Sequence, residues 1–322
     1  MLDRPSVLLT NPIHPDGEAI LSPHAELVVA NDTRPDTLRR MASDVDGIIV
    51  RTMLPDDIVD HGHKLKALVR HGVGLDFIPV EAATRRGIIV ANLPGCNARA
   101  VAEYFFTSLM HLRRPLYRVD RHLRDAGWDA ARSMANDTSE VGGTTLGIIG
   151  LGAVGSRIAR FGGAGLGMTV IGMDKRRGQA PDGVEEVELD ELFSRSDAIA
   201  VCCALTDETR GLVGHDLIAR MKPNAVLINM ARGPIVDAVA LVEALDQGRI
   251  AGAGLDVYDN HPLPADSPLL ESPRLLLTPH IAAITATSLR AMSVGAAEEM
   301  VRIIQGRPPV NFVNREIMEG LK

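Results

Sequence analysis

The sequence predicts an α/β protein with two parallel-sheet domains and a cleft between them. Three observations support this prediction. The chain has 322 residues, which is too long for one ordinary core and suits two domains. It is 46% hydrophobic but only 3% aromatic, a composition typical of aliphatic strands buried between helices. Short apolar runs also alternate with helical patterns along nearly the whole chain, which is the rhythm of βαβ units.

The first series of elements lies before residue 98. Its strands are short and rich in β-branched residues. The turn LPGCNARA then opens a long helical pattern that contains Pro115, which we expect to kink or split the helix. The predicted strands of this series are SVLLT (6–10), GIIV (47–50), KALVR (66–70) and GIIVAN (87–92).

A second series follows the polar stretch SMANDTSEVGG and precedes a final helical run over about 283–306. Two sheet-forming series joined by a long helix imply two α/β domains. The predicted strands of this series are TLGIIG (145–150), TVIGMD (169–174), AIAVCC (198–203), AVLINM (225–230), AGAGLDV (251–257) and RLLLTP (274–279).

Composition and charge exclude some classes of binding partner. The net charge is −7 with both signs interspersed, so the chain has no basic field for nucleic acid or for a membrane surface. No stretch approaches the roughly 20 apolar residues needed to cross a bilayer, and the amino terminus resembles a first strand more than a signal peptide. Cys96, Cys202 and Cys203 lack metal-ligand spacing, so we expect reduced cysteines in a cytoplasmic protein and no metal site.

A dinucleotide site is predicted where TLGIIG meets the next helix. Gly150, Gly152 and Gly155 have the G-x-G-x-x-G spacing, which allows a tight turn, close approach of a pyrophosphate and close helix packing. The next predicted strand ends in Asp174, 19 residues beyond Gly155, where an acid accepts hydrogen bonds from ribose hydroxyls.

The same strand end bears on the choice of cofactor. Asp174 repels a 2′-phosphate and favours NAD over NADP. Lys175, Arg176 and Arg177 follow at once, and a basic run can hold that phosphate, so NADP stays open as the alternative. A solvated turn is the other interpretation of these three side chains.

Three polar residues stand at predicted strand ends, where open parallel sheets bind their ligands. Arg232 follows AVLINM and suits a substrate carboxylate. Asp256 lies near the end of AGAGLDV, close enough to meet a nicotinamide carboxamide, and His280 follows RLLLTP. A surface ion pair for Arg232 and a loop contact for His280 are the alternatives, but equivalent positions on one nucleotide-binding sheet favour catalysis.

With these residues in view, the chain resembles the NAD-dependent D-2-hydroxyacid dehydrogenases over essentially its whole length. The resemblance implies two Rossmann-like, doubly wound parallel-sheet domains that flank a cleft. One is a substrate domain formed by residues 1–98 and 287–322, and the other is a dinucleotide domain formed by 99–286. It also implies a homodimer. It rests on RHGVGLDFIPVEAATRRGIIVANLPGCNARAVAEY, TLGIIGLGAVG, MKPNAVLINMARGPIVDAVALVEALDQGRIAGAGLDVY and LLLTPHIAAIT, in that order.

The resemblance also implies roles for individual residues. Arg232 would orient the substrate and His280 would be the acid/base that gives a proton to the developing alkoxide as NADH reduces a 2-keto acid. Backbone groups around Val73 and Gly74 would hold the substrate carboxylate, and Arg51 would face the same cleft. The positions that match cofactor contacts are Ala153, Val154, Asp174, Cys203, Met230, Ala231 and Asp256.

The chain departs from the family pattern at His261. Five residues past Asp256 and before a proline, the family usually has a glutamate that pairs with the catalytic histidine. An imidazole cannot supply the carboxylate's charge, so we hypothesise that His280 has a lower effective pKa than in its relatives. Asp259 is the fallback partner, and a histidine that only ends a strand is the alternative interpretation.

Two other functions compete with reduction of small 2-keto acids such as glyoxylate or hydroxypyruvate. A formate- or phosphite-type dehydrogenase of the same family would release a hydride without an alkoxide to protonate. A non-catalytic NADH-sensing binding protein would bind NADH tightly with negligible turnover. The sequence does not select the substrate, because no single motif encodes side-chain specificity.

Overall fold

A computed structural model describes residues 4–318 of the chain. Its twelve strands and twelve α-helices alternate over most of these residues, except that three helices follow one another before residue 145 and two pairs of consecutive strands have no α-helix between them. The strands are β1 Ser6–Leu9, β2 Glu26–Val29, β3 Gly47–Val50, β4 Ala67–Arg70, β5 Ile89–Ala91, β6 Thr145–Ile149, β7 Thr169–Met173, β8 Val184–Glu186, β9 Ala198–Val201, β10 Val226–Asn229, β11 Gly252–Leu255 and β12 Leu275–Leu277. The helices are α1 Pro15–Leu21, α2 Pro35–Ala42, α3 Ile58–His61, α4 Val80–Arg85, α5 Ala98–Arg113, α6 Leu116–Ala126, α7 Trp128–Ser133, α8 Ala153–Arg160, α9 Leu189–Arg195, α10 His215–Arg220, α11 Ala238–Asp246 and α12 Ala286–Ile304.

The chain divides into two compact units. Unit 1 comprises Met1–Asn97 and Ile284–Lys322, and unit 2 comprises Ala98–Ala283. The sequence placed these boundaries near residues 98 and 286. Each unit contains one parallel sheet with helices, so the predicted α/β class with two Rossmann-like parallel sheets is confirmed.

Unit 1 has a five-stranded sheet in the order β2-β1-β3-β4-β5. The strands β1, β3 and β4 are almost completely buried because aliphatic side chains cover both faces of the sheet. The order reverses between β1 and β3, which marks the switch point of a doubly wound sheet. Ligands of such sheets bind at that point, beyond the carboxyl ends of the strands.

Unit 2 has a seven-stranded sheet in the order β12-β11-β10-β9-β6-β7-β8. All neighbours pair in parallel, and the order reverses between β6 and β9. The glycine loop follows β6, so the fold places it at the switch point. The same carboxyl edge carries the ends of β10, β11 and β12.

The long helical pattern breaks at Pro115, as predicted. The helix α5 ends at Arg113, and α6 begins at Leu116 with Pro115 as its N-cap residue. Within residues 4–318, no helix combines the length and the apolar character needed to cross a membrane.

Candidate active site

The glycine loop has the geometry that its spacing predicts. Gly150 has φ +95°, a conformation that side chains rarely adopt, and a Cβ there would lie 2.7 Å from the Cys203 backbone. A Cβ at Gly155 would lie 2.0 Å from the Gly150 carbonyl oxygen. A Cβ at Gly152 would meet no atom within 4 Å, so open space adjoins the first turn of α8. These glycines therefore fit a pyrophosphate held at the helix amino terminus.

Asp174 lies directly after β7, beside the glycine loop. Its carboxylate accepts hydrogen bonds from the Leu151 amide (2.7 Å) and the Arg176 amide (2.9 Å). Partial burial opposes ionisation, but these hydrogen bonds and the Arg176 guanidinium outweigh it and hold the pKa of Asp174 below its usual value. An anionic side chain thus stands where ribose hydroxyls would need an acceptor.

The basic run after Asp174 is engaged with acidic side chains. Lys175 Nζ lies 2.8 Å from Glu208, and Arg177 lies 2.6 Å from Glu188. Arg176 Nε contacts Asp174 itself at 3.3 Å. Each of the three cations therefore has a carboxylate partner.

The other predicted cofactor residues line the same edge of unit 2. Ala153 is exposed and Val154 half-buried in the first turn of α8, and Cys203 is half-buried two residues after β9. Burial raises the pKa of the Cys203 thiol to about 11, so it stays protonated near neutral pH. Met230 and Ala231, which follow β10, are both buried.

Arg232 is positioned by the turn that follows β10. Its Nη1 donates to the Ala231 carbonyl at 2.6 Å, and its own carbonyl accepts from Asn229 Nδ2 at 2.9 Å. A Cβ at Gly233 would lie 2.0 Å from the Tyr258 carbonyl carbon, so only glycine allows the two backbones to approach this closely. The turn with Arg232 is thereby packed against the loop that follows β11.

Asp256 is completely buried just after β11. Its carboxylate accepts hydrogen bonds from Thr278 Oγ1 at 2.6 Å and from the amides of Ile281 and Ala282 at 2.8 Å each. Because the residue is completely buried, contact with a nicotinamide carboxamide would require the surrounding loop to move. In this structure Asp256 holds the loop after β12, and its predicted contact with the cofactor stays a prediction.

His280 is half-buried in the loop that Asp256 holds. It has φ +56°, the only such value among the non-glycine residues from 4 to 318. Its amide donates to the Asp256 carbonyl at 2.8 Å. The backbone of His280 is therefore tied to the end of β11.

His261 lies beside His280. The two ring centroids are 5.3 Å apart with an angle of 48° between the planes, and the centroid of the Tyr258 ring lies 6.0 Å from that of His261. His261 is exposed and precedes Pro262 through a cis peptide bond. The structure thus brings together the two histidines that were predicted as partners.

In unit 1, the predicted substrate residues follow β3 and β4. The Arg51 amide donates to Thr10 Oγ1 at 2.8 Å, which bridges the switch point, and its guanidinium donates to the Pro12 carbonyl. The carbonyl of Val73 accepts from Asn92 Nδ2, and that of Gly74 accepts from Arg70 Nε. The amides of Val73 and Gly74 donate no hydrogen bond to any residue in the described part of the chain.

The sequence reasoning overlooked His71, which lies between β4 and these two amides. Its imidazole is buried, and its Nε2 lies 2.8 Å from Ser293 Oγ on α12. Burial, followed by the charge of Arg51, lowers the pKa of His71 to about 3, so the ring is neutral. His71 could have been identified from the sequence as a polar residue directly after the predicted strand KALVR.

The glycines and Asp174 together fit a dinucleotide cofactor. Two backbone positions that exclude side chains, an open helix amino terminus and an anionic acceptor at the neighbouring strand end are what that group requires. Within residues 4–318, no group of His, Cys, Asp or Glu side chains has an arrangement that could hold a metal ion.

The chain is similar to known proteins over most of its length. Residues 106–282 match the family model described as D-isomer specific 2-hydroxyacid dehydrogenase, NAD binding domain. Glyoxylate reductase of Korarchaeum cryptofilum is 34% identical in an alignment of 325 positions that covers 98% of each chain. D-3-phosphoglycerate dehydrogenase of Methanocaldococcus jannaschii is 37% identical over 314 residues, which cover 96% of this chain and 59% of that relative.

The chain is also similar in structure to a solved enzyme. The NADPH-dependent glyoxylate/hydroxypyruvate reductase of Sinorhizobium meliloti, in complex with NADP and malonate, superposes with a TM-score of 0.84. Its sequence is 29% identical, and the match covers 97% of each chain.

Proposed function

Because the chain belongs to the D-isomer specific 2-hydroxyacid dehydrogenase family, we propose that it transfers a hydride between NAD(H) and C2 of a small 2-hydroxy or 2-keto acid. The observation that carries the proposal is the carboxyl edge of the sheet in unit 2. Arg232, the loop with His280 and the glycine loop all follow strands of that one sheet.

The chemistry follows from the side chains at this edge. NADH supplies the hydride when it is bound. His280, as imidazolium, donates a proton to the oxygen that becomes an alkoxide during reduction, and neutral His280 takes it back during oxidation. Arg232 binds the carboxylate and the adjoining carbonyl oxygen through a guanidinium fork, so its charge stabilises the transition state.

His261 is the proposed partner of His280. A ring separation of 5.3 Å supports this role, since it places the two imidazoles side by side. A neutral His261 stabilises the imidazolium less than a carboxylate does, and a protonated His261 repels it. The effective pKa of His280 is therefore expected to lie below that of relatives with a glutamate at this position.

Unit 1 is proposed to bind the substrate carboxylate. The amides of Val73 and Gly74 are suitable donors, because no acceptor within residues 4–318 uses them. The guanidinium of Arg51 adds positive charge on the neighbouring strand end, and burial lowers its pKa.

We propose that NAD is preferred over NADP. Asp174 is held in its anionic form, and the three following cations each face a carboxylate, so a 2′-phosphate would meet little uncompensated positive charge. The ratio of kcat/KM for NADH and NADPH tests this preference, and a ratio below one would contradict it.

We also propose a cytoplasmic homodimer. The cysteines are free thiols, as expected in a reducing compartment.

The helix α6 buries none of its residues, and Leu116, Leu123 and Trp128 expose 69%, 41% and 65% of their surface. A second copy would cover this apolar surface. Light scattering should give twice the chain mass, and Trp128→Asp should reduce that mass.

The proposed function is tested by NADH oxidation with a panel of acids that includes glyoxylate, hydroxypyruvate, pyruvate and bulkier 2-keto acids. We expect turnover with at least one of them and its loss in His280→Ala. NAD reduction by formate or phosphite without keto-acid reduction would favour the other dehydrogenase class. Tight NADH binding without any turnover would indicate a sensing protein.

A further inference from the structure

The backbone of His280 adopts a conformation that costs free energy. For a residue with a Cβ, φ +56° lies in the left-handed region, where Cβ comes too close to the following carbonyl oxygen. Such a conformation persists only when surrounding contacts impose it. The contacts around His280 therefore indicate which residues set the direction of its imidazole.

One set of contacts is a partly buried chain of hydroxyl groups. Tyr104 Oη on α5 lies 2.6 Å from Thr278 Oγ1, and Thr278 Oγ1 donates to Asp256 Oδ1 at 2.6 Å. A carboxylate only accepts, so the single Thr278 proton is committed to Asp256. Tyr104 must then be the donor to Thr278, which makes the chain directional from Tyr104 to Asp256.

Hydrogen bonds with Asp256 and Tyr258 fix the residues on both sides of His280. The Asp256 carboxylate accepts the amides of Ile281 and Ala282, which follow His280. Tyr258 Oη donates to the Thr278 carbonyl at 2.9 Å, two residues before His280. The histidine is thus held between two anchored segments.

The tyrosines remain donors at all pH values at which the protein would work. Burial raises the pKa of Tyr104, and burial, followed by the charge of Asp256, raises that of Tyr258 to about 12. The chain of hydroxyl groups is therefore not interrupted by deprotonation.

We propose that Tyr104 and Thr278 are positioning residues for catalysis, because through Asp256 they hold His280 in the left-handed conformation that directs its imidazole. This inference rests on the proposed function, in which His280 exchanges the proton. Neither residue needs to touch the substrate.

The test compares Thr278→Val, Thr278→Ser and Tyr104→Phe with Thr144→Val, a partly buried threonine of the same unit that donates only to Val141. A displacement of about 1 Å at a reacting group can lower the rate about 100-fold. We expect kcat for keto-acid reduction to fall about 10- to 100-fold in Thr278→Val and about 3- to 10-fold in Tyr104→Phe. Thr278→Ser, which keeps the hydroxyl, should stay within about threefold of the unaltered chain, as should Thr144→Val.

A second comparison separates positioning from general loss of structure. In a His280→Ala background, Thr278→Val and Tyr104→Phe should lower the residual rate by less than about twofold, because the group that they position is gone. NADH binding by calorimetry should change less than about threefold in each single variant. Equal losses with and without His280 would overturn the inference, as would unchanged kcat in both Tyr104→Phe and Thr278→Val.

Failure of the proposed function has a different signature. If the unaltered chain reduces no 2-keto acid, both proposals fall. If it does so and the variants at Thr278 and Tyr104 behave like Thr144→Val, only the positioning role is overturned.

Discussion

His261→Glu is expected to move the pH profile of keto-acid reduction. Reduction requires protonated His280, so its rate falls as pH rises and that residue loses its proton. A carboxylate beside the ring favours the protonated form. The alkaline limb of the reduction profile should therefore move to higher pH in the variant, and the acidic limb of the oxidation profile should move in the same direction.

The size of the shift follows from the distance between the rings. Unit charges 5.3 Å apart interact by about 0.8 kcal/mol in water and by about 3 kcal/mol at an effective dielectric constant of about 20. His261 is exposed and His280 half-buried, so the value should lie near the lower limit. About 1.4 kcal/mol corresponds to one pH unit. We expect a shift of about 0.5 to 1 pH unit.

The assay is kcat at saturating NADH and keto acid between about pH 5 and 9.5, a range that includes the titration of an unperturbed histidine at about pH 6.5. His261→Gln is the matched control, because it keeps a polar side chain without a negative charge and should leave the alkaline limb within about 0.3 pH unit of its original position. An unmoved profile in His261→Glu would refute the pairing. If Asp259→Asn then moved the limb to lower pH, Asp259 would be the partner instead.

Three further predictions concern other parts of the structure. Arg232→Lys should lower kcat/KM about 10- to 100-fold, because an ammonium cannot form the bidentate pair; an unchanged value would exclude carboxylate binding by Arg232. Asp174→Asn should raise the KM for NADH about 10-fold and that for NADPH less, which initial rates will measure. The pKa of His71 is lowered to about 3, so only the unfolded chain takes up its proton below about pH 6.5, and stability should fall by about 2 kcal/mol between that pH and pH 5. Urea unfolding of His71→Gln should show a smaller loss over the same range, and an equal loss would contradict the assignment.

Strands that are buried on both faces of a sheet were predictable from the sequence, because they form continuous apolar runs. The prediction missed β2 and β8, which lie at sheet edges and have mostly half-buried or exposed residues, so they show no continuous apolar run. The split at Pro115 and the glycine loop were predictable because they depend on local backbone chemistry.

Contacts between distant segments were less accessible to sequence reasoning. Glu208, which pairs with Lys175, lies 33 residues away along the chain, and nothing in the local pattern indicates it. The burial of Asp256 and its bonds to residues 278–282 likewise depend on where the loop after β12 returns to the end of β11. The proximity of His261 and His280 was a hypothesis from one unusual residue, and the direction of the loop could not be read from its sequence.

The central claim is that this chain transfers a hydride between NADH and C2 of a 2-keto acid, with His280 supplying the proton. The most direct measurement uses NADH in which both hydrogens at C4 of the nicotinamide are replaced by deuterium, and follows the label into the product by NMR and mass spectrometry. The account predicts one deuterium at C2 of a 2-hydroxy acid of D configuration, with at least a 100-fold slower rate in His280→Ala. A product without deuterium at C2, an L product, or full activity in His280→Ala would contradict it.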